Sequence, residues 1–198
     1  MDESAKPIIN IEGELVALGP LQCEHVMLWT EWFNDFAMTG NLAMLPRPMT
    51  FEQEDAWYER ASSDERNPTF AIYERTTWRT IGNCGLIDVD LIHRHAEVGI
   101  AIGEADARGQ GYGTEAMRLL LDYAFTVLGL RNVMLRVYEY NDAGRRSYAK
   151  VGFKEIGRRR QSRWHNGRFW DVILMDILES EFQSAVLRAA LEGEQPQA

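Results

Sequence analysis

Residues 96–129 read AEVGIAIGEADARGQGYGTEAMRLLLDYAFTVLG, and this stretch decides the architecture. From Ala96 to Ile102 the side chains alternate, with Val98, Ile100 and Ile102 on one face and Glu97, Gly99 and Ala101 on the other; that is the period of a strand. From Gly111 onward, Met117, Leu120, Leu121, Ala124, Phe125 and Leu128 recur at helical spacing opposite Glu115, Arg118 and Asp122, and Gly129 supplies the stop. Between strand and helix lies Arg108-Gly109-Gln110-Gly111-Tyr112-Gly113-Thr114. A helix N-terminus exposes unpaired N–H groups and the positive end of the helix dipole, so glycines there let a phosphate approach the backbone. The turn lacks the Gly-Lys-Ser/Thr ending of a nucleotide P-loop, and Thr114 stands where a dinucleotide fingerprint needs glycine. The alternative is a plain glycine-rich turn, and the flanking strand and helix weigh against it.

Downstream, a strand is expected from Asn132 to Tyr138, then a short helix from an Asn141 cap to Val151 that stops at Gly152. Two further strands, at about 153–164 and 169–178, flank His165-Asn166-Gly167, whose Asn-Gly pair signals a tight hairpin. Upstream, Glu14 to Leu18 reads as a strand ended by the breaker pair Gly19-Pro20. An amphipathic helix is expected over 22–36, then a loop over 38–48. Thr50 with Gln53 forms a capping box for a helix to about Ala61. Strands at 69–73 and 80–91 form a hairpin. The order predicts one α+β domain, a mixed sheet with helices on its faces, over residues 14–180. Residues 1–13 read as an N-terminal extension and 181–198 as a tail, partly helical or disordered.

With 45% hydrophobic and 26% charged residues in a chain of 198, the composition is that of an ordinary globular domain. No apolar run approaches the roughly 20 residues that cross a bilayer, and the acidic N-terminus has no apolar signal region; a cytoplasmic protein with no membrane partner is expected. A net charge of −9 argues against nucleic acid as a partner and favours a cationic small substrate. Cys23 and Cys84 form neither a Cys-x-x-Cys pair nor a disulfide framework, and no metal site is expected. His93 and His95 read as surface histidines, and Trp29, Trp32, Trp57 and Tyr58 as core aromatics on helices. Arg158, Arg159, Arg160 and Arg163 read as a solvated strand.

At the glycine turn the sequence resembles the GNAT superfamily of acetyltransferases, whose Gln/Arg-x-x-Gly-x-Gly/Ala signature is matched by Arg108, Gly111 and Gly113. Asn141-Asp-Ala-Gly-Arg-Arg-Ser-Tyr148-Ala-Lys-Val-Gly152-Phe153 is similar to the family's second signature. Trp164 to Asp171 is similar to the ribosomal-protein (RimJ and RimL) and spermidine acetyltransferase branches. The resemblance runs from about Leu15 to Leu178, strong over 96–153 and poor before residue 68. It implies a mostly antiparallel twisted sheet in which two parallel strands splay apart for the donor, acetyl-CoA. Ile100, Ala101 and Ile102 would then lie along pantetheine, with Asn141 on the pantetheine arm or simply capping its helix. The pyrophosphate would rest on the N–H groups of Arg108, Gly109, Gln110, Gly111, Tyr112, Gly113 and Thr114. The acceptor would be a primary amine, on a small cation such as a polyamine or antibiotic or at a protein N-terminus. A homodimer is common among similar proteins.

Acetyl transfer to an amine needs a neutral nitrogen, a held oxyanion and a protonated leaving sulfur. A lysine-like amine sits about 3.4 pKa units above neutrality, so freeing it costs roughly 4 to 5 kcal/mol. Glu97, on the small-residue face of the strand, is the candidate base, where similar enzymes use a glutamate; the competing reading is an ion pair with an arginine. Tyr148, a phenol protonated at neutrality, is the candidate acid for the thiolate. The oxyanion would be held by a strand N–H near Ile100. Neither cysteine lies in the matching catalytic segment, so direct attack in a ternary complex is expected. The alternative is a non-catalytic acyl-CoA sensor.

Overall fold

The computed structural model describes residues 6–184 and 186–192. Eight strands form one sheet in the order β1-β2-β3-β4-β5-β6-β8-β7. They are β1 (Ile11–Glu12), β2 (Val16–Pro20), β3 (Thr69–Glu74), β4 (Thr80–Asp90), β5 (His95–Ile102), β6 (Asn132–Tyr138), β7 (Lys154–His165) and β8 (Arg168–Leu178). Every neighbouring pair is antiparallel except β5 and β6, which run parallel. The helices are α1 (Val26–Asn34), α2 (Phe36–Thr39), α3 (Phe51–Ser63), α4 (Tyr112–Asp122), α5 (Asp142–Val151) and α6 (Leu187–Glu192). None is long and apolar enough to cross a membrane.

Local chemistry explains most of the boundaries. Thr50 and Gln53 close the capping box in both directions, each bond 3.3 Å long. Asn166 and Gly167 take φ values of +50° and +75°, the paired left-handed turn that matches the twist of a hairpin. The helix expected over 22–36 is interrupted: Asp35 adopts an extended conformation and its Oδ1 accepts the Ala37 N–H at 2.9 Å, so one periodic run becomes α1 and the short α2. The N-terminal strand runs through Gly19-Pro20 instead of ending before it. Gly19 lies against the Ile8 carbonyl, where a Cβ would come within 2.3 Å, and Pro20 closes the strand. Ile11 is buried in the core, so part of the expected extension is an edge strand of the domain. Towards the other end, the buried Asp122 carboxylate accepts the N–H groups of Val186 and Leu187 at 3.0 and 2.9 Å and seats α6. Residues 193–198 of the expected tail lie outside the described residues.

The sheet carries a core on each face. Helices α4 and α5 cover one, where Leu18, Ile72, Leu120, Leu121, Leu135 and Ile177 pack together. Helices α1 to α3 cover the other, over Trp29, Trp32, Ala71, Tyr73 and Ala101. Full burial of side chains such as Leu120 and Leu121 contributes about 1.5–3 kcal/mol each.

Candidate active site

Strands β5 and β6 pair only at His95↔Asn132, Ala96↔Val133 and Glu97↔Met134. Beyond Glu97, β5 stays with β4 as far as Ile102↔Gly82, while β6 stays with β8 as far as Tyr138↔Val172. The two strands therefore splay, and the β6-facing edge of β5 from Val98 to Ile102 has no strand partner. Into that gap opens a cavity of about 470 Å³. It is lined by Ile100, Ala101 and Ile102 of β5, by Asn141, Ser147 and Tyr148 at the cap and on the body of α5, and by Gly109, Gly111, Gly113 and Thr114 of the glycine turn and the start of α4.

The glycine turn is shaped by its backbone. Gly109 and Gly111 sit at φ +77° and +90°, conformations that cost a residue with a Cβ about 1–2 kcal/mol. Thr114 and Glu115 donate to the Gly111 carbonyl at 3.0 and 3.1 Å, and the N–H groups just before them have no backbone acceptor among the described residues. Arg108 also lines the cavity, yet its guanidinium is committed to the carbonyls of Ile102 (3.0 Å) and Gly103 (2.5 Å), so it ties the turn to the end of β5. Thr114 Oγ1 and Ser147 Oγ lie 2.8 Å apart and join α4 to α5.

Ten of the thirteen expected site residues line this one cavity: Ile100, Ala101, Ile102, Arg108, Gly109, Gly111, Gly113, Thr114, Asn141 and Tyr148. Asn141 caps α5, accepting the Gly144 N–H at 2.9 Å, and faces the cavity as well. Burial pushes the Tyr148 phenol up to about 12, so it holds its proton throughout the neutral range. Three residues are placed elsewhere. Gln110 is exposed beside the turn. Tyr112 points away and donates to Glu74 Oε1 at 2.7 Å, fixing α4 to the β3–β4 hairpin. Glu97 accepts from Arg136 Nε at 2.7 Å on the stretch where β5 and β6 are still paired, before the gap opens. At that position Glu97 holds an ion pair across the two strands.

The cavity's remaining wall was not visible in the sequence. Ala37, Met38, Asn41 and Leu42, from α2 and the loop after it, line it beside α5. That loop is clamped to the far half of the sheet: Tyr138 OH donates to the Leu42 carbonyl (3.1 Å), and Tyr140 OH (2.6 Å) and Arg163 Nη2 (3.1 Å) both donate to Gly40. Arg163 thus faces inward, lying 4.3 Å over the Tyr138 ring, while Arg158 pairs with Glu155 and Glu139. His93 and His95 are exposed and stacked, and no group of three metal-binding side chains occurs among the described residues.

Residues 16–154 match the model of the acetyltransferase (GNAT) domain. The chain belongs to the GNAT acetyltransferases. A spermidine N(1)-acetyltransferase of Vibrio cholerae is 32% identical over 133 residues, covering 67% of this chain and 76% of that protein. The human alpha/beta-tubulin-N-acetyltransferase 9 is 27% identical over 197 residues, covering 93% and 91%. Among solved structures, the Vibrio cholerae spermidine N-acetyltransferase in complex with CoA and spermine superposes with a TM-score of 0.78 at 27% identity, over 85% of this chain and 98% of that one. The GNAT fold accounts for the mixed sheet and its splayed parallel pair. This chain is accordingly an acetyl-CoA-dependent N-acetyltransferase acting on an amine.

Proposed function

We propose that this GNAT enzyme transfers the acetyl group to a primary amine of a small polycation by direct attack, with Tyr148 as the acid. The observation that carries the reading is that Tyr148 lines the splay cavity together with Ile100 to Ile102 of the unpaired β5 edge. The N–H groups of residues 109–113 hold the pyrophosphate at the α4 N-terminus, and the open edge of Ile100 to Ile102 aligns the pantetheine. A β5 N–H in the gap receives the developing oxyanion. As the N–C bond forms, the C–S bond breaks, and the thiolate takes a hydrogen bond and then a proton from Tyr148.

The acid's strength sets a condition on that step. A phenol at about 12 gives its proton to a thiolate of ordinary pKa 8.5 only uphill, by about 3.5 units or roughly 5 kcal/mol. Desolvation in the cavity raises the thiol as well and narrows the gap, as burial does to the Cys84 thiol. Tyr148 therefore acts first as a hydrogen-bond donor to a poorly solvated sulfur. With Glu97 held by Arg136, the amine sheds its proton to solvent and enters as free base.

A small polycation is favoured by the net charge of −9 and by relatives named for spermidine. A protein N-terminus is the second reading, favoured by the likeness to the human tubulin acetyltransferase over 93% of the chain. Thiol release from acetyl-CoA should be measured across polyamines, monoamines and N-terminal peptides, with Tyr148→Phe beside wild type. Release driven by polyamines, falling about 10²–10⁴-fold in kcat in the variant, supports both assignments. Release driven only by peptides replaces the acceptor, and an unchanged kcat in Tyr148→Phe removes the acid.

A further inference from the structure

Helix α5 turns one stripe towards the splay cavity. Ala143, Arg146, Ser147 and Lys150 recur at helical spacing, and all of them line it. The stripe is held in register with α4 at two points. Ser147 Oγ lies 2.8 Å from Thr114 Oγ1 in the first turn of α4, and the Lys150 carbonyl accepts from Arg118 Nη2 at 2.9 Å, one turn further along. Arg146 and Lys150 therefore stand on either side of the point where α5 meets the start of α4, about 6 Å apart along the α5 axis.

The cavity inverts the charge of the molecule around it. The chain has 30 Asp and Glu residues against 21 Lys and Arg, yet no carboxylate is among the residues that line the cavity, while the cations Arg108, Arg146 and Lys150 are. Arg108 is committed to the carbonyls at the end of β5. Arg145, next to the stripe, is committed as well, to Asp142 Oδ1 at 3.3 Å and to the Glu139 carbonyl at 3.4 Å. The charged ends of Arg146 and Lys150 have no hydrogen-bond or carboxylate partner among the described residues, and both side chains are exposed at the cavity mouth. Acetyl-CoA brings negative charge in two places. Its pyrophosphate is served by the backbone N–H groups of the glycine turn. Its ribose 3′-phosphate is close to a dianion at neutral pH, and its oxygens are best met by charged donors.

We propose that Arg146 and Lys150 bind the ribose 3′-phosphate of the donor and so select CoA over its 3′-dephospho form. The assignment rests on the reading above, in which the pyrophosphate lies on the α4 N-terminus, and deepens it by naming the residues that recognise the nucleotide end of the donor. The pair acts through donor affinity and leaves the transfer step to the groups around the thioester.

Binding of CoA, 3′-dephospho-CoA and pantetheine, without an acceptor, should be measured by titration calorimetry for wild type, Arg146→Gln, Lys150→Gln and the double variant. Wild type is expected to bind CoA at least about tenfold more tightly than dephospho-CoA, each single variant to lose part of that preference, and the double variant to bind both alike. Added salt should weaken CoA binding more in wild type than in the double variant. A wild type indifferent to the 3′-phosphate, or a double variant that keeps the wild-type preference, overturns the assignment. An equal loss for CoA and dephospho-CoA in the variants overturns it too, because the pair would then serve the pyrophosphate. Dephospho-CoA binding no more tightly than pantetheine would remove the pyrophosphate reading instead, and the ratio of CoA to dephospho-CoA affinity would still decide the pair.

Discussion

Two glycines with the same left-handed preference stand in different surroundings from a third that has no such preference. At Gly109 nothing lies within 4 Å of an added Cβ, so Gly109→Ala meets only the backbone penalty of about 1–2 kcal/mol. The turn then relaxes away from φ +77°, and KM for acetyl-CoA should rise several-fold with kcat held, as steady-state kinetics would read. At Gly111 the same penalty applies, with the Leu15 side chain 3.7 Å away. At Gly103 the obstacle is steric: an added Cβ would lie 1.9 Å from the Trp32 ring, whose Nε1 donates to Glu104 at 3.1 Å. Gly103→Ala should cost about 1–3 kcal/mol in urea unfolding, and a loss near zero would mean that the ring moves freely. The place of Tyr148 in the cavity lining was legible because its neighbours in sequence carry the motif. The partner of Glu97 was not legible, because Arg136 comes from the next strand, 39 residues on, and alternation along one strand is silent about cross-strand neighbours. Glu97→Gln should leave kcat nearly unchanged if the residue serves only its partly exposed ion pair, which contributes about 0–1 kcal/mol; a kcat loss as large as that expected for Tyr148→Phe would assign the base role to Glu97.

Elements whose boundaries are set by local chemistry were legible. The bounds of β6 fell on the expected residues, and the Thr50 capping box and the Asn166-Gly167 turn formed as read. Elements that depend on distant contacts were not. Strand β2 outlasts its Gly19-Pro20 signal because Ile8 crosses it, and the run after Gln22 divides at Asp35 because a side-chain cap there competes with helix continuation. The attachment of α4 belongs to the second group. Glu115 accepts the N–H groups of Glu14 at 2.9 Å and of Leu15 and Val16 at 2.7 Å each, and so ends the β1–β2 turn on the helix. Helical periodicity shows only that Glu115 faces away from the apolar stripe. Glu115→Ala strands three donors, and an unfolding midpoint lowered by the equivalent of about 2–3 kcal/mol is expected from denaturant titration.

For the whole molecule, stability should follow the protonation of the α1–α3 seam. Glu54 has its folded value raised from 4.5 to about 7, so its contribution is complete below pH 4.5 and is lost as pH rises through 7. The loss is at most about 3.4 kcal/mol. His25 acts in the opposite sense: burial lowers it from 6.5, so stability falls as pH drops below 6.5. Denaturant unfolding at pH 5, 6, 7 and 8 should show Glu54→Leu gaining stability over wild type at pH 8 relative to pH 5. An equal difference at every pH would place Glu54 among ordinary solvated acids. The mixed sheet and most of the cavity lining were legible from residues 96–153, and the aromatic packing of α1 and α3 from helical spacing, whereas the unpaired polar atoms beside that packing were not.

The short β5–β6 ladder divides the sheet into two antiparallel panels, β1 to β5 and β6 to β8, joined edge to edge at three residue pairs. A donor lying in the gap then works as mortar between the panels as well as a reagent. Acetyl-CoA should slow amide exchange on both sides of the seam it fills, along Val98 to Ile102 and Leu135 to Tyr138, and hold the panels at a fixed angle while the acceptor enters between them.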